Sequence, residues 1–148
     1  MGLRTRIFNG KEQIFCEWRH RWVRLTPEEW VRQQLLHRLT AMGYPASRIA
    51  VEVPLPLLNG KAYRADAVVC DSALRPRMVI ECKAETVPLT QAVLDQALAY
   101  NRLLGVPWLL LHNGLRSVCV RIEGAEVSFS DTIPPFASVE DKTSGPAQ

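Results

Sequence analysis

The chain has 148 residues, 47% of them hydrophobic and 22% charged. These are ordinary globular values, so one domain with a real core is expected. No apolar run approaches the ~20 residues of a membrane span, and the basic amino terminus lacks the apolar stretch of a signal peptide, so a cytoplasmic location is expected. The net charge of +3 is unevenly spread, with six basic and two acidic side chains in residues 1–25 against one basic and five acidic in residues 123–148. Arginine outnumbers lysine, and its planar fork suits phosphate, which leans toward a nucleic-acid partner.

Residues 1–25 show no clear periodicity and are expected to form a basic arm packed on the core. Ile14, Phe15, Trp18 and Trp22 could form one apolar strip flanked by Arg19, Arg21 and Arg24, facing either the core, a phosphate backbone or a partner protein. Thr26-Pro27-Glu28-Glu29 is a helix start, with Thr26 as N-cap, Pro27 in the first position and Glu29 completing a capping box. Val31, Leu35, Leu39 and Met42 then form one helical stripe, which Gly43 ends.

Three strands are expected next: 49–54, 62–71 after an Asn59-Gly60 turn, and 77–84. On the second, alternation puts Tyr63, Ala65, Ala67 and Val69 on one face and Arg64, Asp66, Val68 and Cys70 on the other. A second helix runs from its cap Thr90 to about Leu104, with Gly105 beyond. Trp108 to His112 reads as a buried strand, followed by strands 117–122 and 125–130 joined by a Glu123-Gly124 turn. From residue 132 onward Pro, Ser, Asp and Gly dominate, and a flexible tail is expected. Cys16, Cys70, Cys82 and Cys119 lack CxxC spacing and read as reduced thiols, not zinc ligands or disulfides.

The third strand carries the chemistry. Alternation puts Met78, Ile80 and Cys82 on one face and Val79, Glu81 and Lys83 on the other. Burying a Glu and a Lys together carries a desolvation cost that needs a reason. The triplet alone is weak, because chance gives about 0.4 acid-x-Lys triplets at this composition. Glu140-Asp141-Lys142 is such a copy, set in the polar tail with no strand around it.

The order of elements, helix, three-strand antiparallel meander, helix, strand, resembles the core of the PD-(D/E)xK nucleases, the superfamily of restriction endonucleases. Asp66 matches the acid of that core's second strand, and Glu81 and Lys83 match the Glu-x-Lys of the third. Gln96 and Tyr100 match the Gln-x-x-x-Tyr of the following helix, a spacing that shares one helical face. The phrases LTPEEWVRQ, RADAVVCD, VIECKAETVPLTQ, DQALAYN and HNG resemble the amino-terminal nuclease domain of type I restriction enzyme R subunits, over residues 25–114. Ala65 departs from the Pro of the superfamily's name. No GxxxxGK[ST] is present, so ATP-driven translocation is not expected of this chain.

The resemblance implies an α/β, restriction-endonuclease-like core over residues 26–131 with an added carboxy-terminal β-hairpin. It implies a DNA endonuclease dependent on Mg²⁺, with Mn²⁺ as substitute, held by Asp66, Glu81 and the backbone carbonyl of Cys82. Lys83 would orient the attacking water, Gln96 and Tyr100 would hold the lysine or a phosphate, and Glu29 would add a carboxylate through water. DNA is the expected partner, with room for a partner protein or a homodimer. The alternatives are a non-catalytic DNA-binding module or an assembly module on the same fold.

Overall fold

The computed structural model describes residues 3–57 and 60–140. Its centre is a mixed six-stranded sheet built from β4 (Ile49–Pro56), β5 (Ala62–Cys70), β6 (Pro76–Cys82), β7 (Trp108–His112), β8 (Ser117–Glu123) and β9 (Glu126–Ser130), in that spatial order. β4, β5 and β6 pair antiparallel, whereas β6 and β7 run parallel because helix α2 (Gln91–Leu104) carries the chain across between them. β7 to β9 return to antiparallel pairing. Asn59 of the expected turn lies outside the described residues.

Both faces of the sheet are covered, which is why β7 reads as an unbroken apolar run and is buried throughout. On one face, helix α1 (Pro27–Ala41) sets Val31, Leu35, Leu36 and Leu39 against Met78, Ile80, Cys82 and Leu110. On the other, Leu94, Ala97 and Leu98 of α2 pack on Val79, Leu109 and Val120. Each fully buried Leu or Val of this kind contributes on the order of 1.5–3 kcal/mol of transfer free energy.

Local sequence sets the helix ends. Thr26 Oγ1 accepts the Glu29 N–H at 3.0 Å, and Thr90 Oγ1 accepts the Val93 N–H at 3.3 Å. At the other ends Gly43 (φ +103°) and Gly105 (φ +69°) take the left-handed turn that a Cβ would strain. Only half of the expected capping box forms, because the Glu29 side chain turns away to Arg19, Arg32 and Gln33. Met42 caps α1 and is 40% exposed, so it is not part of the buried stripe.

Residues 1–25 contain a separate three-stranded antiparallel sheet, β1 (Thr5–Phe8), β2 (Lys11–Cys16) and β3 (Arg21–Arg24). It turns Ile14 and Cys16 inward, and Trp18 packs on the α1-side core. Alternation sends Phe15 to the opposite face, so Ile14, Phe15, Trp18 and Trp22 do not form one strip.

Residues 132–140 differ from the expected flexible tail. Ile133 and Val139 are buried in the α1-side core, and Phe136–Glu140 forms a short helix, α3. The Tyr44 hydroxyl donates to the Pro134 carbonyl at 2.6 Å, and Arg77 Nε donates to the Val139 carbonyl at 3.0 Å. Two apolar anchors six residues apart in a Pro-rich stretch give no helical or strand period, so the docking is invisible in the pattern. Residues 141–148, including Lys142 of the second acid-x-Lys triplet, lie outside the described residues. Val139→Asp should therefore lower unfolding stability by at least about 2 kcal/mol, the cost of burying a charge without a partner. Urea titration of wild type and variant measures it; equal midpoints would mean that the segment does not dock.

Candidate active site

The site begins at a break in the hydrogen-bond ladder. β4 pairs with β5 through Val51–Ala67 and Val53–Ala65, skipping Glu52 and Asp66, and β5–β6 pairing starts only at Ala67–Ile80. Glu52 sits at φ +55°, which a non-glycine residue rarely adopts. Alternation changes phase here: Val51 and Ala67 face α1, whereas Val53, Ala65 and Tyr63 face α2. Tyr63 and Ala65 therefore do not share a face with Ala67 and Val69.

Side chains replace the missing ladder bonds. The Asp66 carboxylate accepts the Cys82 N–H at 2.7 Å, where a plain strand would offer a carbonyl. Arg32 donates to the Asp66 carbonyl at 3.3 Å, and Arg64 donates to the Glu52 carbonyl at 2.9 Å. β4–β5 pairing resumes at Val53–Ala65, whereas β5 and β6 stay apart beyond Ala67–Ile80.

On the α2 side of the opening lies a cleft of about 330 Å³ lined by Tyr63, Glu81, Lys83, Gln96 and Tyr100, among others. Four of the expected site residues therefore meet in one place, from β6 and from one face of α2. Tyr63 and Tyr100 stack across the cleft with ring centroids 4.6 Å apart. Asp66 stands beside them, close enough for its charge to act on Glu81.

Glu81 is the most perturbed acid. Burial is the main cause, helped by the Asp66 charge and opposed by the Tyr63 hydroxyl and Lys83, and its carboxyl is raised to about 7. Burial also raises Asp66, against the pull of the Cys82 N–H and Arg32. Burial and the neighbouring Glu81 push the Tyr63 hydroxyl up, so it remains a proton donor.

Glu29 takes a different place. Its carboxylate is held by Arg32, by Arg19 at 2.5 Å and by Gln33 at 2.7 Å. Burial alone would raise it, but these hydrogen bonds bring it below its ordinary value. It reaches Asp66 only through Arg32, whose Nη1 lies 3.6 Å from Asp66 Oδ1. Arg32 is one residue of the site that sequence reasoning does not find; at i+3 from Glu29 it reads as a surface ion pair, yet it is 8% exposed and touches Glu29, Glu52 and Asp66. Tyr63 was missed because alternation from Ala67 gave no hint of the phase change.

The residues present fit a hard divalent cation. Among the described residues Glu81 Oε1 is buried with no hydrogen-bond partner, an acceptor left free for a ligand. Lys83 N–H donates to the His112 carbonyl at 2.9 Å, so the N–H and C=O of Cys82 face the opposite edge, toward Asp66. Among the described residues no three His, Cys, Asp or Glu side chains cluster as metal ligands, so the donor set would be two carboxylates and one carbonyl.

The raised Glu81 carboxyl has a stability consequence. Between its ordinary value of 4.5 and about 7 the folded state binds the proton more tightly than the unfolded state, so this contribution is lost as pH rises through that window. In metal-free buffer, Glu81→Gln should gain stability relative to wild type across the same window, by on the order of 2 kcal/mol at pH 8 and by nothing near pH 4. Urea unfolding with EDTA at both pH values reads the difference; a pH-independent difference would contradict the raised carboxyl.

Comparison with known proteins finds the same fold elsewhere. The chain shares its fold with a fragment of a protein assigned as the HsdR subunit of a type I restriction enzyme from Vibrio vulnificus YJ016, at 20% identity and a TM-score of 0.61, covering 78% of this chain and 24% of that one. It also matches a protein from Anabaena variabilis ATCC 29413 assigned as a nuclease of the DUF820 group, at 13% identity and a TM-score of 0.53, covering 85% of this chain and 83% of that one. The chain thus spans about a quarter of the length of the HsdR fragment it resembles. No curated protein matches it. No helix among the described residues is long and apolar enough to cross a membrane. The family model described as "Type I restriction enzyme R protein N terminus" matches residues 27–134, which hold every residue of the cleft, and the chain belongs to that family.

Proposed function

We propose that this domain is a metal-dependent endonuclease that hydrolyses the phosphodiester bonds of DNA. The observation that carries the reading is the buried, unpartnered Glu81 Oε1 beside Lys83 and Asp66 at the open end of the sheet. Mg²⁺, or Mn²⁺ in its place, would be held by Asp66, Glu81 and the Cys82 carbonyl and would supply Lewis-acid polarisation of the phosphate and ionisation of a water.

The chain's own groups do the rest. Asp66 is fixed by the Cys82 N–H and Arg32, so its carboxylate is already oriented when a ligand arrives. Lys83 lies on the same face as Glu81 and offsets the negative charge that builds on phosphorus in the transition state. Gln96 and Tyr100 line the opposite wall from α2, where an amide and a phenol can donate to a phosphate oxygen. Tyr63 orients Glu81 and is itself held by stacking on Tyr100. Glu29 acts one step removed, by fixing Arg32 rather than by touching the substrate.

Lys83→Ala should lower the rate of plasmid cleavage on the order of 10²–10³-fold while leaving Mn²⁺ binding intact, because the ammonium matters most when charge develops. Asp66→Ala and Glu81→Ala should lose both cleavage and metal. Cleavage of supercoiled and single-stranded DNA, paired with Mn²⁺ calorimetry on the same preparations, reads both quantities. Wild-type protein that binds Mn²⁺ yet cleaves neither substrate would overturn the enzyme reading in favour of a binding module, and equal cleavage by wild type and Lys83→Ala would place the activity elsewhere.

A further inference from the structure

The amino-terminal sheet lies outside the residues that the family model matches, and its outer face has an unusual composition. Directly paired residues share a face, so the register sorts its side chains. Phe15 pairs with Trp22, and the Phe15 N–H bonds the Arg4 carbonyl, putting Arg4, Phe15 and Trp22 in one row. Arg6, Gln13 and Arg24 form the next row, and Phe8 and Lys11 the last. Among the described residues this face therefore carries four cations, three aromatic rings and no carboxylate; Glu12 falls on the other face.

The guanidinium groups are organised by the rings. Arg4 lies over Phe15 at 4.2 Å from the ring centroid, and Arg6 lies over Trp22 at 4.3 Å. Gln13 Oε1 accepts from Arg6 Nε at 2.7 Å. A guanidinium stacked this way has its flat face covered and presents its N–H edges outward, the arrangement that grips a phosphate in two places. The core-facing Arg19 and Arg32 are instead engaged by Glu29 and Glu52.

The other face of the sheet abuts the start of α1 and the segment after Lys83: Glu12 of β2, Thr26, Pro27 and Ala84 to Thr86 line one groove. The cationic outer face is the one turned away from that groove.

We infer that the outer face of the amino-terminal sheet binds the phosphodiester backbone of DNA, without reading sequence, through Arg4, Arg6, Lys11 and Arg24. The inference rests on the nuclease reading for the identity of the polyanion, but its test does not depend on cleavage. Binding of a fluorescent duplex is measured in EDTA across a salt series, for wild type, Arg4→Gln/Arg6→Gln and Arg4→Lys/Arg6→Lys. All the substituted side chains are exposed, so the fold is retained.

The glutamine pair should weaken binding on the order of tenfold, equally on unrelated sequences, and lower the log–log salt slope by about 2, one for each phosphate no longer neutralised. The lysine pair should keep the wild-type slope, because the charges remain. An unchanged slope in the glutamine pair would overturn the inference even if the protein proves to be a nuclease. A reduced slope in the glutamine pair of a protein that never cleaves DNA would uphold it while the nuclease reading fails. Anionic phosphatidylserine vesicles serve as the competing polyanion: binding to them tighter than to DNA, abolished in the glutamine pair, would reassign the face to a membrane surface and overturn the inference.

Discussion

Everything at the candidate site depends on one broken stretch of β-ladder. A continuous antiparallel pairing of β4, β5 and β6 would bury the peptide groups of Glu52 and Asp66 in the sheet and leave their side chains alternating between two apolar layers. Instead the pairing skips both residues, and three of the groups there are taken by side chains: the Asp66 carbonyl by Arg32, the Glu52 carbonyl by Arg64, the Cys82 N–H by the Asp66 carboxylate. The opening is tolerated only because those partners are in place, since an orphaned buried peptide group costs on the order of 1–3 kcal/mol. Where β5 and β6 part, Asp66 and Glu81 from neighbouring strands stand close enough for one charge to act on the other.

Arg32 is what makes that crowding stable. Glu29, Glu52 and Asp66 all reach its guanidinium, and Arg19 adds a second positive charge on Glu29 and Glu52. A half-buried group of like charges would otherwise protonate. Glu81 points to the other side of the sheet, where burial and the Asp66 charge outweigh Tyr63 and Lys83, and it keeps one oxygen without a partner among the described residues. The site is thus divided between two faces. The α1 side pairs its acids with Arg19 and Arg32, whereas the α2 side carries an acid that Tyr63 and Lys83 only partly compensate.

This division explains what was legible in the sequence. Glu81 and Lys83 could be placed because β6 keeps strict alternation up to Cys82, and Gln96 and Tyr100 because helical spacing puts i and i+4 on one face. Both are local periodicities, so they survive in a one-dimensional reading. The phase change at Asp66 is not local: it depends on a positive φ at Glu52, on the preceding strand, with no glycine there to announce it. Arg32 was hidden for a related reason, since only the packing of α1 against the open strand end turns an i+3 pair into the centre of a charge network. The docking of Ile133 and Val139 and the sorting of Phe15 from Ile14 likewise needed register, which composition does not carry.

The two walls of the cleft are also held by unequal means. Glu81 and Lys83 extend from a strand flanked by β5 and β7, with Met78, Val79 and Ile80 fully buried behind them. Gln96 and Tyr100 stand on α2, whose one fully buried residue is Asn101, tied to the Val106 carbonyl at 2.7 Å at the helix's far end. Fewer buried contacts mean a lower free energy of local displacement. The cleft thus has a fixed floor of charge and a polar wall held by fewer buried contacts. In the nuclease proposed above, the floor would set the position of the reacting phosphate and the wall would accommodate what is attached to it. The Tyr63–Tyr100 stack is a ring contact that bridges the two, and it joins the wall to the hydroxyl that bonds Glu81.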